Sequence, residues 1–384
     1  MTEHVVPFHG AGVPVLSIPE SDIFRAPVVI SCHDAAVPPL LDAELRNLYG
    51  NIHSTTAHLA VYGGLTDVTH IYTARQNERP LAIFLFRSHR DTVTVINEGM
   101  TLDAAELERF TNYVFTTWRS VTAIRFHAVR IPAPLMLRRP AQHHACTAEI
   151  VMPLPDSVDA YLASLGRNMR RNLRRYQERL RSRHPSVRYD FYDNEDVPEH
   201  LIHEVIRLNR MRIEGKQLQY ALDDEVDKLV TLVRRCGTLG VMTIDGKVVA
   251  GGIGYRVGDA WFFKVNAHDP DYNAFSAGIL SCYYTICECI ARGCREFNFM
   301  WNEYEYKFAL GGQARNLHRL VIYRSRLQLL LHAARAMSET AAAARHRIAA
   351  LLEKAHAGKA LSRRERSVAG MLALLRRGRR MLVR

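Results

Sequence analysis

Apolar positions along this chain change period repeatedly, from the two-residue alternation of strands to the three-to-four-residue spacing of helices and back. Val248 to Tyr255 and Trp261 to Val265 are rich in β-branched and aromatic residues, and Gly258-Asp259 between them is a strong hairpin signal. Ile279, Tyr283, Ile286, Cys287 and Ile290 then recur at helical spacing, which predicts a helix beginning near Ser276 or Ala277 and stopping at Gly293. Phe297, Asn298 and Phe299 form a last strand ahead of Tyr306-Lys307. Small residues therefore fall where strand hands over to helix. Free backbone N–H groups and the positive end of the helix dipole make a helix start a seat for phosphate, and Ser276-Ala277-Gly278 lets a diphosphate approach closely. An ordinary serine cap and a glycine selected for close packing explain the same residues without a ligand.

Upstream, the pattern predicts a repeat. Ala43 to Asn51 reads as helix, Val68 to Thr73, Leu81 to Arg87 and Thr92 to Ile96 as strands, Asp103 to Trp118 as helix and Ala123 to Val129 as strand. In the second half, Ala148 to Met152 is a strand, Val158 to Ser182 a helix and Val187 to Tyr192 a strand, followed by helices over Asp196 to Glu214 and Asp223 to Cys236. The proline-rich run from Ile131 to Thr147 predicts a break between the halves. Ahead of its helix the first half has no small-residue turn, only Thr101 and Asp103 as ordinary caps.

With 384 residues and 48% hydrophobic content the chain is long enough for more than one core. No run approaches the ~18 apolar residues of a membrane span, and the Met1 segment lacks a basic region followed by an apolar block, so a cytoplasmic location is the expectation. Seven scattered cysteines suggest no disulfide framework. The net charge of +12 is unevenly placed: residues 324–384 hold 15 Lys and Arg against 3 Asp and Glu, and the remainder balances at 36 of each sign. In that tail an apolar stripe from Leu327 to Leu352, a turn at Gly358 and a second stripe through Val368, Met371, Leu372 and Leu375 predict a basic helical hairpin. Such a hairpin packs on the domains, on another subunit in a homo-oligomer, on a membrane-associated synthase or anionic membrane surface, or on RNA.

Strand, small-residue loop, helix and strand resemble the way GNAT acyltransferases hold acyl-CoA, and GCREFNFMWNEYEYK resembles the glycine-led "fDf…G…YK" ending of their FemAB-like and CelD-like branch. Asn298 departs from the usual aspartate, and Trp301-Asn302 replaces a glycine-containing turn. SLGRNMRRNLRRYQERL, part of a run in which Arg167 to Arg183 holds eight arginines, resembles the arginine-rich helix that opens the second domain of that branch. The resemblance covers roughly Ala148 to Tyr323. It implies two tandem GNAT-like α/β domains with mixed sheets: a degenerate one over 1–140, an acyltransferase domain over 141–323, and the basic tail over 324–384. It implies an acetyl-CoA or other acyl-CoA donor, no metal, direct attack by an amine or hydroxyl, and an acceptor such as an amino sugar or a cell-envelope or exopolysaccharide precursor. Aminoacyl transfer from charged tRNA and a non-catalytic GNAT scaffold are the alternatives.

Acyl transfer from a thioester needs a group to take the nucleophile's proton, positive charge at the developing oxyanion and a proton for the leaving thiolate. The resemblance assigns Lys307 to the acyl carbonyl; the alternative is a lysine paired with Glu303 or Glu305 on a surface turn. Glu303, Glu305 and His268 are candidate bases, while Tyr304 and Tyr306 either protonate the thiolate or line the acyl pocket. Val265 and Asn266 are expected to pair with pantetheine through their backbone, and Phe275, Ser276, Ala277 and Gly278 to enclose the pyrophosphate. Arg170, Arg171, Arg174 and Arg175 contact phosphates or an acidic acceptor, or form a solvated face. Cys282, Cys287, Cys289 and Cys294 scatter over a helix and read as small buried residues, not a zinc site. The glycines of GGIGYRVG lie in a strand, without the strand-to-helix context of a dinucleotide fold.

Overall fold

Among the described residues twelve strands join in one mixed sheet, in the spatial order 29–34, 70–76, 79–89, 92–95, 123–129, 313–323, 141–153, 296–298, 260–268, 247–257, 237–244 and 188–193. The computed structural model describes residues 27–34, 39–62, 64–66, 69–131, 135–215 and 225–331. The predicted tail hairpin lies outside them, except for its first turns.

The two halves of the sheet are built alike. The first comprises β1 (Val29–Asp34), α1 (Pro39–Tyr49), α2 (Thr56–Val61), β2 (His70–Gln76), β3 (Arg79–His89), β4 (Thr92–Val95), α3 (Ala104–Thr117) and β5 (Ala123–Val129). The second opens with β6 (Ala141–Pro153), α4 (Val158–Ser164), α5 (Arg167–Arg183), β7 (Arg188–Asp193), α6 (Glu199–Glu214) and α7 (Val226–Cys236). It continues with β8 (Gly237–Ile244), β9 (Lys247–Val257), β10 (Ala260–His268), α8 (Ala277–Ala291), β11 (Glu296–Asn298), α9 (Glu305–Ala309), β12 (Gln313–Tyr323) and α10 (Arg326–Leu331). In each half an antiparallel meander ends in one parallel pair bridged by a helix: β4 with β5 through α3, and β10 with β11 through α8. The predicted repeat is this unit.

The bridging helices differ at their starts. Asp103 accepts from the amides of Ala105 and Glu106, so the first turn of α3 is capped by its own chain. At α8, Ser276 sits in the left-handed region (φ 54°, ψ 41°) and makes no side-chain cap. Ser276 is therefore not the ordinary helix cap that its residue type suggested. Below this turn α8 buries Leu280, Cys282, Ile286 and Cys289 against Trp261, Phe263 and Phe297. Cys282, Cys289 and Cys294 are small core residues and Cys287 is half-buried; among the described residues no group of metal-ligating side chains assembles.

Two predicted elements change and one central strand is new. The single helix expected over Val158 to Ser182 breaks at Leu165-Gly166, because Leu165 turns extended and buries itself in the core. Burial of one leucine outweighs continuity of a polar helix, worth about 2 kcal/mol or more for a large apolar side chain. β6 extends back to Ala141, into the run expected to be a proline-rich break. There it pairs with β12, a strand with no counterpart among the predicted elements, which slots between β5 and β6 and zips the halves into one sheet.

Candidate active site

β10 and β11 are hydrogen-bonded neighbours only from Ala260–Glu296 to Phe262–Asn298. Past that point they part. β10 carries a bulge at Lys264, where its register against β9 slips between Phe263 and Val265, and the chain after Asn298 turns away. A cleft of about 500 Å³ opens between them, lined by Val265 and Asn266 on β10, Asn209 and Arg212 on α6, and Phe299 to Asn302, Tyr304, Tyr306 and Lys307 from the segment after β11.

Lys307, at the end of this cleft, is only 4% exposed. Its Nζ donates to the carbonyls of Phe299 (2.7 Å) and Trp301 (2.5 Å) and lies 5.4 Å from the centre of the Tyr304 ring. The alternative surface pairing with Glu303 or Glu305 does not form: both carboxylates are exposed, and carbonyls hold the ammonium. An ammonium has three N–H groups, so one remains after the two carbonyls. Burial draws the Lys307 pKa down from 10.5 to about 8, while the two accepting carbonyls favour the charged form.

The turn that cages this lysine is itself pinned. Met300 and Asn302 adopt positive φ (60° and 71°) without being glycine. Asn298 accepts from the Met300 amide (2.8 Å) and donates to the buried Glu149 (2.6 Å). Those partners leave one orientation for the amide, since a carboxylate only accepts and a peptide N–H only donates. Backbone bonds from Phe299 N to Ile150 O (2.7 Å) and from Ile150 N to Met300 O (3.1 Å) fasten the segment to β6.

Of the expected site residues, the cleft brings together Lys307, Tyr306, Tyr304, Val265 and Asn266. Glu303, Glu305 and His268 are not part of its lining. The Tyr306 hydroxyl is pushed up by burial. Phe275, Ser276, Ala277 and Gly278 form the start of α8, where among the described residues the amides of Ala277 and Gly278 have no hydrogen-bond partner. His268 packs so closely there that a Cβ on Gly278 would stand 2.6 Å from its Nδ1, and its Nε2 bonds Asn273 (2.7 Å). Close packing therefore accounts for glycine at 278. Arg170 and Arg174 are exposed on α5; the arginine beside the turn is Arg179, which donates to Ala274 O (3.1 Å) and covers the Phe275 ring.

Sequence reasoning missed the contributions of α6 and of the first half. Asn209, 4% exposed, donates to Asn266 O (3.3 Å), and Arg212 joins Lys264 and Lys307 to make three cations in a lining without a carboxylate. The Trp301 ring stacks on His53 of the first half (5.0 Å between centroids, 9° between planes), and His53 Nδ1 is 3.2 Å from His58 Nε2. Burial lowers both imidazoles, His58 to about 4, so the pair is neutral at physiological pH. No local pattern marks these residues: Asn209 and Arg212 reach the cleft from α6, and His53 backs its Trp301 wall.

Residues 167–308 match the family model for an acetyltransferase (GNAT) domain. The crystal structure of FemX superposes with a TM-score of 0.58 at 9% identity, covering 78% of this chain and 99% of that one. L-PGS from Bacillus licheniformis aligns at TM-score 0.46 and 12% identity over 78% of this chain and 96% of its own. A tandem GNAT protein from the clavulanic acid biosynthesis pathway aligns at 0.38 and 11%, over 76% and 98%. No curated protein matches in sequence.

Proposed function

We propose that this chain, with a GNAT-type acetyltransferase domain over residues 167–308 in a FemX-like fold, transfers an acyl group from acyl-CoA to an amine or hydroxyl. The observation that carries this reading is the parting of β10 and β11 beside a buried ammonium. Strands that separate open the edge of β10 that faced β11, and the main chain at Val265 and Asn266, whose carbonyl also accepts from Asn209, is where the amides of pantetheine pair. The uncapped amides of Ala277 and Gly278, with Arg179 beside them, supply a seat for the pyrophosphate.

In this reading the acceptor attacks the thioester carbonyl, the bond to the acceptor forms and the carbon–sulfur bond breaks, and the third N–H of Lys307 stabilises the oxyanion. The thiolate then needs a proton. A thiol has a pKa near 8.5, so an ammonium brought to about 8 is a matched donor, and the proton shed by the acceptor's nitrogen or oxygen on acylation returns to Lys307 and restores the ammonium. Tyr306, pushed up by burial, is a poor acid for it and serves as a wall of the acyl pocket. The acceptor is an amino sugar or a precursor of envelope or exopolysaccharide, delivered in the cytoplasm; this rests on the FemAB-like and CelD-like resemblance. Among the described residues no helix is long and apolar enough to cross a membrane.

Calorimetry with acetyl-CoA and longer acyl-CoAs should show saturable binding. Mass spectrometry of acceptor mixtures with isotopically labelled acetyl-CoA should show which compound gains the label. Absence of binding by every acyl-CoA would sink the reading in favour of a scaffold.

Aminoacyl transfer from tRNA is the second reading, favoured by the FemX-like fold and by the exposed arginines 170, 171, 174 and 175 on α5. If it holds, charged tRNA binds with an affinity that falls steeply with salt, and R170E/R174E weakens binding and lowers the log–log slope by roughly two contacts. A flat salt response would dismiss it.

A further inference from the structure

We propose that Glu149 is a positioning residue for the acyl-transfer site: through Asn298 it sets the strained 299–302 turn whose carbonyls aim Lys307 into the cleft. This inference rests on the acyltransferase reading above.

The chain of contacts is continuous. Glu149 lies on β6, 3% exposed, and divides its two oxygens: Oε1 accepts from Arg315 Nε (2.8 Å) and Oε2 from Asn298 Nδ2 (2.6 Å). Arg315 is in turn held by a two-pronged pair with Glu296 (2.7 and 2.8 Å), and Arg130 of the first half approaches Glu149 at 3.4 Å. The carboxylate is thus fixed by guanidinium groups from β12 and from the residue after β5. It fixes Asn298, whose other end holds the Met300 amide. Met300 at φ 60° is a conformation that a non-glycine residue keeps only when its surroundings impose it. The carbonyls on either side of Met300, those of Phe299 and Trp301, are the two that hold Lys307. The direction of the remaining N–H therefore follows from this turn.

The same network explains why asparagine replaces the aspartate of the resembling motif. A buried carboxylate already stands at hydrogen-bond distance, so residue 298 must present a donor to it and an acceptor to Met300. Asparagine does both. Aspartate would set two carboxylates side by side, and one would have to take up a proton. In this chain the carboxylate stands at position 149 and the amide at position 298.

A charge-relocation cycle tests this in the full chain. Thiol release from acetyl-CoA, with hydroxylamine as the probe nucleophile, is expected to fall at least tenfold in Glu149→Gln and in Asn298→Asp. Acetyl-CoA affinity by calorimetry should stay within about threefold, since neither residue lines the cleft. The double variant E149Q/N298D returns the donor to one side and the carboxylate to the other, and is expected to recover to within about threefold of wild type. A readout that needs no acceptor is the ¹³Cε resonance of Lys307, assigned by its loss in Lys307→Met. Its titration should move in each single variant and return in the double. Single variants with full turnover and an unmoved resonance overturn the inference. So does loss of turnover, binding and fold together without rescue. If Lys307→Met itself turns over like wild type, the acyltransferase role of Lys307 fails; if only the Glu149 and Asn298 variants do, this inference alone fails.

Discussion

Lys307→Met is expected to lower the turnover of acyl-CoA by about 10²- to 10³-fold, the usual consequence of removing one oxyanion donor, while leaving the chain folded. Methionine keeps most of the length of the buried stem but removes the charge and the N–H donors to the Phe299 and Trp301 carbonyls, so acyl-CoA affinity and circular dichroism measured beside turnover separate lost chemistry from a displaced turn. The pH dependence carries the same signature. With the folded-state pKa near 8, the ammonium predominates below that value and is lost above it, so turnover should decline as pH rises through about 8. Stability should move the other way. The unfolded lysine holds its proton up to about 10.5, so the folded state binds fewer protons between 8 and 10.5 and becomes more stable as pH rises through that window. Below 8 both states are protonated and the full cost of burying the charge is present, at most about 3 kcal/mol and reduced by the two carbonyls. Lys307→Met removes that dependence. Denaturant titrations at pH 7 and pH 10 on both proteins, beside pH–rate profiles, check it; a wild-type stability flat across the window with unchanged turnover above pH 8 contradicts the assignment.

Gly278→Val is expected to reduce acyl-CoA affinity by at least tenfold. The new Cβ would meet His268 Nδ1 at 2.6 Å, and the ring must leave Asn273 or move over the amides of Ala277 and Gly278. Either outcome fills the seat proposed for the pyrophosphate. Removing the ring separates packing from binding. In H268A/G278A the clash disappears, so a methyl at 278 should be tolerated and affinity should return toward wild type. If Gly278→Val binds acyl-CoA normally, the diphosphate does not sit at this turn, and glycine at 278 serves packing alone.

Much of this arrangement was legible in the order of residues. The strands around Gly258-Asp259, the helix from Ala277 and the bulk of β2 to β5 follow from apolar periodicity, which each element carries within itself. Lys307, Tyr306, Val265 and Asn266 converge on one cleft because the strands and helix that hold them succeed one another in the chain. The α4–α5 break was not legible, since its cause is a pocket for Leu165 assembled from distant residues. β12 was missed for a similar reason: it is a central strand by virtue of the two edges it bridges, 313 onwards pairing with 141–151 and with 123–129.

Local spacing by itself determined the kinds of element, their repeat in two halves, and the order of a small-residue helix start, a strand and a lysine along the second half. Only the tertiary structure decided that Lys307 is buried on carbonyls instead of paired on a surface turn, that Asn298 meets Glu149 across 149 residues of sequence, and that His53 of the first half stacks on Trp301. Periodicity encodes which face a segment buries, whereas a charge's partner depends on which strand inserts beside it, and that is settled only when the whole sheet closes.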